Sequence, residues 1–135
     1  MKKLQGLIIV LLISFSIFGL TACQGEDGNI GNHSYEQINA QRAKEIMQSG
    51  VEYTLIDART DEEFASGHIE GAILIPEYEI VSRAEQELPD KDALILVYCR
   101  SGRRSKIASE KLVNLGYINV KEFGGIIDWP YEIVK

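Results

Sequence analysis

The residues of this chain best suited to chemistry lie in one stretch, Tyr98-Cys99-Arg100-Ser101-Gly102-Arg103-Arg104-Ser105-Lys106. An apolar run at residues 93–98 precedes it, and a helix-forming run at residues 105–115 follows. Backbone N–H groups at a helix start have no intrahelical acceptor and can point at one anion, with the helix dipole adding to the attraction. A cysteine sulfur held there is favoured as a thiolate. Such surroundings bring a thiol from about 8.5 down into a range of roughly 3.5 to 7.5. Arg100, Arg103 and Arg104 offer cations beside it, and Gly102 allows close approach of backbone to a bound group. Arginines at a helix start oppose the dipole, so their placement suggests a use.

The bulk composition sharpens this. The chain has 135 residues, with 20 acidic against 14 basic side chains, and residues 1–22 hold Lys2 and Lys3 but no acid. An acidic surface argues against nucleic acid as a partner. A cluster of arginines is then the more informative for running against the trend. Histidines at 33 and 68 and two scattered cysteines give no metal-ligand spacing, so neither metal nor other cofactor is expected.

The second cysteine has a different setting. Met1-Lys2-Lys3 is a positive start, residues 4–20 are uncharged and mostly apolar, and Leu20-Thr21-Ala22-Cys23 closes the run with small residues. This is the pattern of an export signal. A membrane-spanning helix needs about 20 apolar residues, and this run is interrupted by Ser14, Ser16 and Gly19. Its last four residues resemble the lipobox of bacterial lipoprotein precursors, which implies lipid on Cys23, cleavage before it, and attachment to the outer face of a cell membrane. The expected organisation is a signal at residues 1–22, a Gly- and Asn-rich tether at 23–34 and one domain at 35–135. With Cys23 lipidated, Cys99 is a lone thiol in an oxidising compartment.

Elements that position the loop can be placed from periodicity and punctuation. Asn39 is suited to cap a helix with one apolar face that stops at Gly50. Residues 53–57 read as a strand, and Thr60-Asp61-Glu62-Glu63 as a capping box for a short helix. A strand at 72–75, a helix at 79–88, the apolar strand at 93–98, a helix at 105–115 and a last strand at 119–123 complete the pattern. Strands alternating with helices at short spacing predict an α/β domain with a mainly parallel central sheet and helices on both faces. Ligand sites in such sheets lie beyond the carboxyl ends of the strands, where Asp57 and Cys99 fall.

Leu55-Ile56-Asp57-Ala58-Arg59, the run Glu63 to Ala72 with Ile75-Pro76, Cys99 to Ser105, and Gly124-Gly125 with Trp129 together resemble the rhodanese family of sulfurtransferases. The resemblance implies that Cys99 takes up a sulfane sulfur as a persulfide, cradled by Arg100, Ser101, Gly102, Arg103, Arg104 and Ser105. It implies a small sulfur donor such as thiosulfate or a persulfide, and a thiol or cyanide-like acceptor. Asp57 and Arg59 match family positions near the loop and are expected to fix its geometry, and His68 is expected to be structural. A thiolate already ionised by its loop needs no general base. Cysteine phosphatases and arsenate reductases offer a similar loop, but their five intervening residues between Cys and Arg are four here, which suits one sulfur better than a tetrahedral oxyanion. A rival of another class is a carrier that holds the persulfide for a protein sulfur acceptor without turning over.

Overall fold

A computed structural model of the chain describes residues 33–135. Five strands form one sheet in the order β1-β5-β4-β2-β3, every neighbouring pair parallel. They are β1 (Glu36–Gln37), β2 (Thr54–Asp57), β3 (Ile73–Leu74), β4 (Ile95–Cys99) and β5 (Val120–Gly125). The helices are α1 (Ala40–Gln48), α2 (Asp61–Ser66), α3 (Ile80–Glu87) and α4 (Arg103–Asn114). Among the described residues no helix is long and apolar enough to cross a membrane. Cys23 and the expected signal and tether up to residue 32 lie outside the described residues.

The sheet carries helices on both faces, as the alternation of elements predicts. Ile95, Val97 and Cys99 of β4 point to one face and pack with Ala84 of α3 and with Ala108 and Leu112 of α4. Leu96 and Tyr98 point to the other and meet Ala43 and Ile46 of α1 together with Phe123 and Trp129. All five β4 residues are buried, which is why that strand reads as continuously apolar.

Local signals act where the sequence places them. Asn39 accepts the Arg42 N–H at 2.8 Å and caps α1. Thr60 and Glu63 form a reciprocal capping box on α2, at 3.3 and 3.0 Å. Element ends shift by one or two residues throughout, and three differences from expectation stand out. β1 is a two-residue strand whose partner lies far along the chain, so no local periodicity marks it. α4 begins at Arg103 rather than at residue 105, because Gly102 at φ +101° turns the chain directly into the helix. β5 runs on to Gly125.

Two constraints set the carboxyl ends of β2 and β4. The chain leaves β2 toward β3 on one side and leaves β4 toward β5 on the other, which opens a crevice between their ends. Beneath it, the Tyr98 hydroxyl donates to Asp57 Oδ2 at 2.7 Å and accepts the Ile69 N–H at 3.1 Å. Burial, followed by the Asp57 carboxylate, pushes the Tyr98 phenol far above its ordinary range, so it is a permanent donor. Tyr98→Phe should therefore lower stability by about 1–3 kcal/mol, the cost of leaving buried polar groups without a partner, read as the shift in a urea denaturation midpoint.

Candidate active site

Cys99 closes β4 and is 1% exposed. Its Sγ accepts the Gly102 N–H at 3.0 Å. Burial pushes the thiol up. Hydrogen bonds from the Ser105 side chain and backbone, and from the backbone of Gly102 and Ser101, outweigh it and bring the thiol below its ordinary value. The residues flanking Cys99 up to Ser105 thus surround one sulfur with donors, with no side-chain cap on α4 to compete for them.

Two glycines make this loop possible, each for its own reason. Gly102 sits at φ +101°, where other residues are strained. The side on which a Cβ would stand faces Gly124 Cα at 3.5 Å, so the need for glycine is in the backbone turn and not in clearance for the sulfur. At Gly125 the constraint is space. A Cβ there would lie 2.0 Å from the Arg100 carbonyl oxygen and 2.6 Å from Ser101 Cα. The loop is laid directly on β5, and the Ile127 N–H ties the Arg100 carbonyl down at 3.2 Å.

The arginines divide into two kinds. Arg104 is bound by both nitrogens to Glu63 at 2.7 and 2.8 Å. That contact holds the Glu63 carboxyl down at about 2, the Arg104 hydrogen bond being the largest cause. Arg100 and Arg103 are exposed at the rim and form no ion pair among the described residues. Hydrogen bonds from the loop, and not these side chains, turn the thiol toward ionisation.

Asp57 and Arg59 lie at the end of the neighbouring strand, both buried. The Arg59 guanidinium donates to Asp57 Oδ2 at 2.7 Å and to the Gly67 carbonyl at 2.7 Å, so the pair braces the segment that carries α2. His68 stacks on Phe64 at 3.8 Å, has Nδ1 3.0 Å from the Phe64 carbonyl, and pairs by backbone with Val134. Sequence reasoning missed Glu122, which is 3% exposed and accepts from Ser105 Oγ at 2.6 Å and from the Gly124 N–H at 2.7 Å. It also missed Glu63, whose role in the capping box masked its reach to Arg104.

Known proteins resemble this chain in sequence and fold. A family model described as the rhodanese-like domain matches residues 39–130. The thiosulfate sulfurtransferase PspE of Escherichia coli K12 is 41% identical over 80 residues, covering 59% of this chain and 77% of that protein. A sulfurtransferase of Allochromatium vinosum is 34% identical over 94 residues, covering 69% and 86%. The solved structure of a rhodanese with anions from E. coli superposes with a TM-score of 0.59 at 38% identity, covering 62% of this chain and 99% of that one.

Two outcomes follow from the geometry. Gly125→Ala should lift the loop from β5, slow Cys99 alkylation at neutral pH and cost at least about 3 kcal/mol, the upper end for overpacking. Glu63 has a depressed carboxyl, so its contribution is complete above its ordinary value of 4.5 and is lost as pH falls toward about 2. The stability gap between wild type and Glu63→Gln should be constant above that window and close within it, followed by denaturation at a series of pH values.

Proposed function

The chain belongs to the rhodanese-like domain family and is a rhodanese-type sulfurtransferase, and from that premise we propose that Cys99 carries the transferred sulfur as a persulfide. The observation that supports this most is the Gly102 N–H held on the buried Cys99 sulfur at 3.0 Å, in a loop whose hydrogen bonding favours the thiolate.

In the first half-reaction the Cys99 thiolate attacks the outer sulfur of a sulfane donor. An S–S bond forms to Cys99, and the donor's own S–S bond breaks with its electron pair, so thiosulfate leaves as sulfite. The loop then holds the negative terminal sulfur as it held the thiolate. In the second half-reaction a thiol or cyanide-like acceptor attacks that sulfur, and Cys99 departs as a thiolate stabilised by the same donors. Arg100 and Arg103 on the rim draw anionic donors toward the opening. A protein carrying a nucleophilic thiol can serve as acceptor at the same opening.

By the same reading the domain works at the outer face of a membrane, held by lipid on Cys23. The positive start, the apolar run and Leu20-Thr21-Ala22-Cys23 support this. A single acyl chain gives only reversible binding and two give stable anchoring, at about 0.8 kcal/mol per buried methylene.

Treatment with thiosulfate should add one sulfur atom to the Cys99 peptide, removable by cyanide or a thiol, and Cys99→Ser should gain none. Arg100→Ala and Arg103→Ala should each raise KM for an anionic donor by roughly threefold to fivefold, as expected of exposed charges, with kcat little changed. A Cys99 unmodified by every sulfane donor would contradict the persulfide. In a bacterial host with labelled fatty acid, the wild type should take up label and Cys23→Ala should not.

A further inference from the structure

Every strand of the sheet runs parallel to its neighbours, so the domain has two unlike ends. Cys99 and its loop lie at the carboxyl end, and the chain enters at the other. β1 comes first and pairs in parallel with β5, which puts residues 33–35 at the amino end of the sheet. α4 starts at Arg103 beside the loop and returns the chain to the start of β5, so its last turn lies at the amino end as well. The two segments meet there, in one crevice lined by His33, Ser34 and Tyr35 together with Glu110, Val113 and Asn114 of α4. Tyr35 packs against the core on that face and fixes the point of entry.

We propose that the anchored domain stands with the amino ends of its strands toward the lipid and the Cys99 opening away from it, so that donor and acceptor are water-soluble and arrive from the aqueous side. This rests on lipid at Cys23. Lengths decide against the inverted arrangement. The 12 residues of α4 separate the entry point from the opening by about 18 Å, at about 1.5 Å per residue, before the loop beyond Arg103 is counted. Residues 24–32 join Cys23 to the first described residue. A Gly-rich coil of about nine residues has an end-to-end distance of roughly 15–18 Å, and full extension gives only about 30 Å. Turning the opening onto the lipid would use most of that reach in passing along the domain.

Charge does not reverse the preference. At the carboxyl end the exposed Arg100, Arg103 and Lys106 are matched by the exposed Asp61, Glu62 and Asp128, so no excess positive charge draws that end onto an anionic surface. At the amino end Glu52 precedes β2, Asp90 and Asp92 precede β4, and all three are exposed. They repel anionic headgroups and hold the domain clear of the lipid without moving its point of attachment. That repulsion is screened over about 8 Å at physiological salt.

The same screening makes the orientation measurable. An anionic bilayer surface at about −30 mV depletes a dianion such as thiosulfate roughly tenfold beside it, and the depletion fades within a few Debye lengths of about 8 Å. The full lipidated chain should be added to preformed anionic and zwitterionic vesicles. KM for thiosulfate should agree between them within about 1.5-fold for an opening some 18 Å or more beyond the point of attachment. A rise of several-fold toward tenfold in anionic vesicles would place the opening at the lipid and overturn the proposal. A second measurement needs no sulfur transfer. In lipidated chains carrying Cys99→Ser, a fluorophore is placed on Val51→Cys at the amino end or on Ile127→Cys at the carboxyl end, both exposed positions. Energy transfer to a dye on the lipid headgroups should be about twofold or more stronger from position 51, given a separation of about 18 Å. Transfer from position 127 that equals or exceeds it overturns the orientation. A wild-type chain that fails to float with vesicles removes the lipid anchor and the proposal with it, while persulfide formation on Cys99 stands or falls separately.

Discussion

An ionised sulfur sealed beneath protein must be solvated by protein. Cys99 ends an apolar strand and is 1% exposed, so bulk water stabilises it little and burial alone would keep it a thiol. Hydrogen bonds to a charged acceptor contribute about 1.5–3 kcal/mol each, and donors from Ser101, Gly102 and Ser105 converge on this one atom. Convergence requires the chain to double back within a few residues onto β5. Gly102 supplies the left-handed turn and Gly125 the room, since a single methyl there would meet the Arg100 carbonyl at 2.0 Å. The chemistry of the site therefore depends on a backbone packed against backbone.

The rest of the crevice braces that loop from outside. Tyr98, Asp57 and Arg59 join the ends of β4 and β2 to the Gly67 carbonyl, and Glu63 on α2 reaches across to hold Arg104 on α4. Both connections fix elements on either side of the sulfur while leaving its donors free. Below, the register between β4 and β5 shifts between Val97 and Cys99, where Gly124 takes φ +91° and Glu122 accepts its N–H. The extra residue of β5 at this point sets Gly124 against Gly102, at the start of α4.

What could be read from sequence was local. Asn39 and the Thr60–Glu63 box act within one turn, and the buried strand at residues 95–99 is marked by its own apolar run. The cysteine loop was legible because strand, glycine and helix start are contiguous. What could not be read was set by distant partners. β1 exists only through pairing with β5, and Arg104 meets Glu63 across 41 residues. Glu122 sits in Val120-Lys121-Glu122-Phe123, whose alternation suggests a half-exposed strand. The carboxylate is buried only because α4 lies over it and β5 runs between β1 and β4. Gly125 belonged to a recognisable motif, but its physical reason, the approach of Arg100, is tertiary.

The central claim is that folding itself lowers the Cys99 thiol. The direct measurement is thiolate absorbance against pH for the folded chain and for the same chain unfolded in urea, with Cys23→Ala so that Cys99 is the only thiol. The folded midpoint should lie below the unfolded one, because the loop donors exist only in the fold. A folded midpoint equal to or above the unfolded value would mean that burial outweighs those donors and would contradict the account.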